Sequence, residues 1–180
     1  YSPLGTGAVF LPMTGLILVV APLAGWLTDR IGSRAPATGG VLLIAVGLLL
    51  LSESGLRGGL GGLVSSLAVV GLGVGLVTTP ITVGALADAA QHEDGVAAGL
   101  LNTSRMVGLS LGIALMGAIV AARWPGGFVA DPVEASAFAD GLAVAYRVNA
   151  GIALATAALA AATLAGSKPR RPVRLPEHAA

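Results

Sequence analysis

The sequence predicts an all-α integral membrane protein with about five transmembrane helices. Of its 180 residues, 55% are hydrophobic and only 11% are charged, and the mean hydropathy is +0.88. Soluble domains carry about 25% charged residues. So few charges could not cover a soluble fold of this size with polar groups, and lipid is the alternative solvent.

Five apolar stretches define the predicted spans. Crossing a bilayer takes about 20 helical residues at 1.5 Å each. Four stretches reach that length, and the second does so if it extends to residue 56. None alternates apolar and polar residues at period two, so barrel strands are not expected, and backbone groups in lipid then require helices. The predicted spans are 5–28, 37–56, 63–86, 96–122 and 142–165, within a transmembrane bundle over residues 1–166.

Charge and residue usage exclude other classes of site. The net charge of +1 offers no basic surface for nucleic acid, and the absence of cysteine excludes disulfides and thiolate metal sites. His92, Glu93 and Asp94 lie together in a predicted loop, where a solvated loop is favoured over a metal site or a proton relay. We therefore expect no cofactor, no metal and no nucleic-acid partner.

The basic residues predict the orientation. The connections at 29–34 and 88–94 and the tail at 167–180 fall on one side, with six basic groups against three on the other. The positive-inside tendency then places the tail in the cytoplasm, where its composition, rich in Pro and Arg, predicts disorder. The inner groups are Arg30, Arg34, Lys168, Arg170, Arg171 and Arg174, and the outer groups are Arg57, Arg123 and Arg147.

The most specific local pattern is an acid and two bases at the boundary between the first two spans. Asp29 is placed to accept hydrogen bonds from backbone N–H groups at the start of the next helix, where the dipole favours an anion. Arg30 and Arg34 can pair with acids on neighbouring helix ends. Gly25 allows a close helix crossing, and Gly32 allows a tight turn. Two interpretations are open: a latch of charges that holds one conformation, or an ordinary charged loop.

This stretch, GWLTDRIGSR, resembles the loop motif G-x-L-A-D-R-x-G-R-R of the major facilitator superfamily, which follows the second helix of each half of those transporters. The sequence departs from the motif at Thr28, and at Ser33, where the family often has a base. The ionic partners of the loop therefore stay open. The matching residues are Gly25, Leu27, Asp29, Arg30, Gly32 and Arg34.

A longer resemblance covers nearly the whole chain in order. The run GVAAGLLNTSRMVG, continued by LGIA, is similar to the penultimate helix of the fourteen-helix drug:proton antiporters. The opening YSPLGTG, with LPM after it, is similar to the same subfamily. The resemblance implies most of the C-terminal half of a major-facilitator fold. It also implies export of amphipathic, often cationic, drug-like compounds in exchange for protons.

This resemblance and the start at Tyr1 predict a piece of a longer polypeptide. A self-contained transporter half has six spans, so five correspond to six with the first removed. No Asp or Glu lies deep in a predicted span, because Asp29, Asp88 and Asp140 fall at predicted ends. We therefore expect the proton-carrying carboxylate upstream, in the missing N-terminal half of the same polypeptide.

Arg105 lies within the fourth apolar stretch, where a charge is unfavourable and usually faces the bundle interior or a cavity. Asn102, Arg105, Gly108 and Gly112 share one helix face by their spacing. One interpretation makes Asn102 and Arg105 cavity or gating residues. The other has Arg105 extend to the cytoplasmic interface. Gly108 and Gly112 also have the G-x-x-x-G spacing of helix contacts.

The third stretch combines a proline with threonines and glycines. Pro80 removes a backbone donor and can kink the helix, while the hydroxyls of Thr78 and Thr79 can satisfy freed carbonyls. Such a kink can line a transport path, and a simple packing kink is at least as well supported. Gly71 and Gly75 have G-x-x-x-G spacing, which favours helix packing over a dinucleotide loop.

Three function classes remain to be compared. A membrane-embedded enzyme needs convergent polar residues at membrane depth, but both histidines fall outside the predicted spans. A non-transporting membrane subunit or scaffold is the alternative to a transporter. We expect a secondary active efflux transporter of the plasma membrane, with lipid, a small-molecule substrate and protons as its partners. The abundance of Ala, Gly, Leu and Val indicates a bacterial source.

Overall fold

A computed structural model describes residues 3–55, 59–86, 94–123 and 132–163, and within these ranges every long element is an α-helix. A π-helical turn, Leu51–Gly55, extends the second helix. The helices are α1 (Pro3–Ile31), α2 (Arg34–Leu50), α3 (Gly59–Leu86), α4 (Asp94–Arg123) and α5 (Pro132–Thr163).

All five helices are long and apolar enough to cross a membrane, which confirms the predicted all-α membrane fold. The largest difference from the predicted spans is at α5, which begins at Pro132, ten residues before position 142. Proline suits the first helical position because an N–H group there would have no acceptor within the helix, so its absence costs no hydrogen bond. The following residues include alanines that favour helix, so the polar connection after Arg123 ends earlier than expected.

The helices do not pack in chain order. α3 lies between α1 and α2, and α2 also packs along α5. α4 packs mainly against α5 and makes few contacts with α3. The order across the bundle is therefore α1, α3, α2, α5, α4. Large hydrophobic side chains on the outer helices are exposed, such as Leu18 at 76% and Val96 at 75%. In a membrane protein these faces contact lipid or other helices.

Small residues form the interior of the bundle. The fully buried positions include Ala24, Ala45, Ala145 and Ala150 rather than bulky side chains. A close crossing joins α2 to α3, where a Cβ added at Gly73 would lie 2.7 Å from the backbone oxygen of Gly40. Because lipid removes the hydrophobic drive for helix association, such close backbone approach is what holds membrane helices together.

Candidate functional site

The connection between α1 and α2 is two buried residues long. Gly32 has φ of 85°, a conformation that glycine adopts without a side-chain penalty. Its N–H donates to the carbonyl of Thr28 at 2.9 Å, which ends α1. Ser33 follows, and its carbonyl accepts from the N–H of Ala37 at 3.1 Å as α2 begins. Ser33 lies beside Gly84 of α3, so the C-terminal end of α3 is at the same end of the bundle as this loop.

The charged groups of the loop point outward. Asp29, Arg30 and Arg34 are exposed, and the Arg30 guanidinium lies 4.1 Å from the ring centroid of Trp26. Asp29 was expected to accept hydrogen bonds from the start of α2. In the described part of the chain it makes none, because α1 continues to Ile31 and keeps Asp29 on an exposed helix face. The loop therefore presents its charges away from its own helices.

The threonines near Pro80 join α3 to its neighbours and to its own backbone. Thr79 donates to the carbonyl of Ala21 on α1 at 3.3 Å, and Thr78 donates to the carbonyl of Val74 at 2.7 Å. Pro80 itself is buried, and α3 continues through it. The carbonyl that loses its partner at a helical proline belongs to the residue four positions earlier. That carbonyl is the one of Leu76, and neither hydroxyl donates to it, so neither replaces its lost backbone donor.

Arg105 of α4 reaches across to α3. Its Nη2 donates to the hydroxyl oxygen of Thr82 at 2.8 Å, and this hydroxyl donates to the carbonyl of Thr78 at 3.0 Å. Thr82 is four residues before Leu86, which places the contact within about 6 Å of the end of α3 along its axis. Arg105 therefore extends toward the loop end of the bundle and also connects α4 to the segment around Pro80.

The other predicted site residues divide between packed and open positions. A Cβ added at Gly71 would lie 2.7 Å from the backbone oxygen of Met13, and one at Gly75 would lie 2.9 Å from Cβ of Val20. Both glycines thus line the contact between α3 and α1. Gly25 lies opposite on α1, where a Cβ would meet a methyl group of Thr79 at 3.6 Å.

The α4 face behaves differently. Asn102 is exposed, and no described atom lies within 4 Å of a Cβ added at Gly108 or Gly112. Within the described structure the apolar part of α4 contains no buried residue. Between Gly95 and Arg123, the charged residue of this helix is Arg105. The face therefore combines an open apolar surface with one hydrogen-bonded cation.

Sequence reasoning missed Thr82 and the crossing of Gly40 with Gly73. Thr82 follows Thr78 by four residues, so a polar stripe on one face of α3 was visible in the sequence. Its partner on α4 was not, since that depends on how the helices pack. The contact of Gly40 could not be predicted because its partner, Gly73, lies on another helix and not at a local G-x-x-x-G spacing.

Comparison with known proteins adds a second line of evidence, although no family model matches the chain. The chain is 36% identical over 127 residues to multidrug resistance protein Stp of Mycobacterium tuberculosis, covering 68% of the chain and 22% of that protein. It is 37% identical over 126 residues to the tetracenomycin C resistance and export protein of Streptomyces glaucescens, covering 68% and 23%.

The puromycin resistance protein pur8 of Streptomyces alboniger shares 31% identity over 168 residues, which covers 89% of the chain and 33% of that protein. The chain thus spans between 22% and 33% of the length of these three relatives. All three carry names that denote drug resistance or export.

Proposed function

We propose that this chain, which belongs with the drug-resistance transporters of the major facilitator superfamily, is part of a secondary transporter that exports drug-like small molecules. The similarity to proteins named for resistance and export carries the proposal, and five apolar helices support it. The chain spans 22% of the length of Stp. The N-terminal half of the transporter would then lie in the rest of the polypeptide, and the two halves would rock about a central cavity.

The loop between α1 and α2 is proposed as a conformational latch. Asp29 and Arg34 are exposed and have no hydrogen bond or ion pair within the described residues. These charges lie on the helix ends on either side of a two-residue connection, where they can meet charged partners on another part of the polypeptide. Such pairs would form in one conformation and break in the other, which is the behaviour that a latch requires.

Arg105 and the threonines of α3 are proposed as cavity or gating residues. A guanidinium on an apolar helix is unfavourable unless it faces protein or water. The hydrogen bond to Thr82 joins Arg105 to the carbonyl of Thr78, two residues before Pro80. A shift of α4 against α3 would therefore act on the segment of α3 that already lacks a backbone hydrogen bond at its proline.

Proton coupling is proposed to depend on a carboxylate outside this chain. In the described part of the chain the acids of the candidate spans lie near the ends of those spans: Asp29 close to Ile31, Glu53 at the end of its span, and Asp140 four residues after Ser136. A proton carrier has to lie along the transport path at membrane depth. We place it in the N-terminal half, and we place the basic tail in the cytoplasm by the distribution of charge.

Transport without chemistry on the substrate is the proposed activity, so no catalytic residue is assigned. The named relatives are resistance and export proteins. A non-transporting subunit remains the alternative that an experiment has to separate. Such a subunit would co-purify with a partner at a fixed ratio and move no substrate.

Ethidium efflux tests the proposed function. The full polypeptide containing this chain would be expressed in bacteria that lack their main efflux pumps, and loss of cell fluorescence would be followed. We expect faster efflux than in cells with an empty vector, and we expect a protonophore to abolish the difference. Equal rates in both strains for ethidium and for a panel of antibiotics would contradict the proposal.

A further inference from the structure

An ion pair closes the end of the bundle opposite the α1–α2 loop. Nη2 of Arg147 on α5 lies 2.6 Å from Oε1 of Glu53, which is 94 residues earlier in the chain. Glu53 belongs to the π-helical turn that follows α2. A π turn is wider than an α turn and is uncommon, so it re-aims the side chains at the helix end. Here the π turn contains Glu53, whose carboxylate reaches Arg147 on α5.

The pair lies at the edge of a tightly packed seam. α2 packs along α5 over much of its length, and the π turn contacts both α3 and α5. Ala145 and Ala150 of α5, on either side of Arg147, are fully buried. Close-packed helices with small buried side chains shift only by discrete rearrangement of the whole interface. The two partners of the ion pair therefore belong to elements that pack closely against each other.

A polar cavity of about 340 Å³ lies beside the pair. Its lining includes Ser52 and Asp140 together with Glu53 and Arg147, and the rest of the described lining consists of small apolar side chains. The hydroxyl of Ser52 donates a hydrogen bond to the carbonyl of Leu49 at 2.8 Å. Both charged partners remain partly exposed, at 52% and 66% of their side chains. Both side chains keep access to solvent, so the pair forms without a large desolvation penalty.

We propose that the Glu53–Arg147 pair is a fixed anchor, which holds the π turn against α5 in every conformation of the protein. It is not a gate. Its role is to position the π turn that follows α2. The part of the proposal that concerns the transport cycle rests on the proposed efflux function.

Charge exchange tests the pairing without any transport measurement. In the full polypeptide, E53R and R147E each place like charges together and should lower the melting temperature in detergent. The double variant E53R/R147E restores opposite charges and should recover most of that loss. A double variant no more stable than the weaker single variant would overturn the anchor. This result stands whether or not the protein exports a drug.

Cross-linking tests whether the contact opens. The chain contains no cysteine, so E53C/R147C can be joined by a short bifunctional thiol reagent once any cysteines elsewhere in the polypeptide are replaced. We expect the cross-linked protein to export ethidium within about twofold of the untreated double variant, because a fixed contact tolerates a tether. Loss of efflux on cross-linking, with the treated single variants active, would show a gate. Absence of efflux in the unmodified protein would count against the proposed function alone.

Discussion

The guanidinium of Arg105 donates a hydrogen bond to the hydroxyl of Thr82 at 2.8 Å, and this is the described side-chain bond that ties α4 to α3. The two helices otherwise touch sparsely. Thr82 passes the interaction to the carbonyl of Thr78. A charged side chain on one helix is thereby connected to the backbone of another helix close to a buried proline, and the consequences of this connection can be measured.

Replacing Thr82 by valine removes the acceptor of Arg105 and keeps the shape of the side chain. We expect efflux by the full polypeptide to fall by about tenfold or more, because a hydrogen bond to a charged group contributes about 1.5–3 kcal/mol and about 1.4 kcal/mol corresponds to a factor of ten. The matched control is Thr103→Val, since among the described residues that hydroxyl bonds only to the carbonyl of Gly99 within α4. Equal efflux by the two variants would remove Thr82 from the mechanism.

Neutralising Asp29 tests the latch. We expect Asp29→Asn to slow ethidium efflux while the amount of protein in the membrane stays unchanged, because the exposed carboxylate is not needed to fold the loop. Asp29→Glu keeps the charge and should retain most of the activity. Efflux by Asp29→Asn at the wild-type rate would leave the loop as an ordinary charged connection.

The crossing of α2 and α3 should tolerate no side chain. A Cβ at Gly73 would lie 2.7 Å from the oxygen of Gly40, a distance that real contacts do not reach, and backbone atoms cannot move aside cheaply. We expect Gly73→Val to destabilise the protein by about 1–3 kcal/mol, as overpacking does. A thermal melt in detergent measures the loss.

The control for this prediction is Gly108→Ala, where no described atom lies within 4 Å of the added Cβ. Alanine also favours helix over glycine. This variant should therefore melt at or slightly above the wild-type temperature. If Gly73→Val and Gly108→Ala melt alike, the two helices do not cross as closely as the structure shows.

Hydropathy and length suffice to predict five helices here, because a span in lipid is defined by its own residues. The turn at Gly32 is similarly local, since only glycine adopts its φ of 85° without strain. The early start of α5 at Pro132 was missed because that helix begins in a polar stretch, where hydropathy gives no signal.

Contacts between helices could not be predicted from the sequence. The order α1, α3, α2, α5, α4 depends on which small-residue faces meet, and G-x-x-x-G spacing occurs on both packed and open helices. The partners of Arg105 and Arg147 follow from that order. Glu53 lies near the end of the predicted span 37–56, and the π turn that directs its side chain toward α5 has no signature in the sequence.

The most direct test of the central claim is transport by the purified full polypeptide in sealed proteoliposomes with an imposed pH gradient. The protein would be reconstituted with a fluorescent drug on one side, and movement would be followed with and without the gradient. We expect drug movement that requires the protein, runs against the direction of proton flow and stops when a protonophore is added. A rate equal to that of protein-free liposomes, for well-folded protein and several drugs, would contradict it.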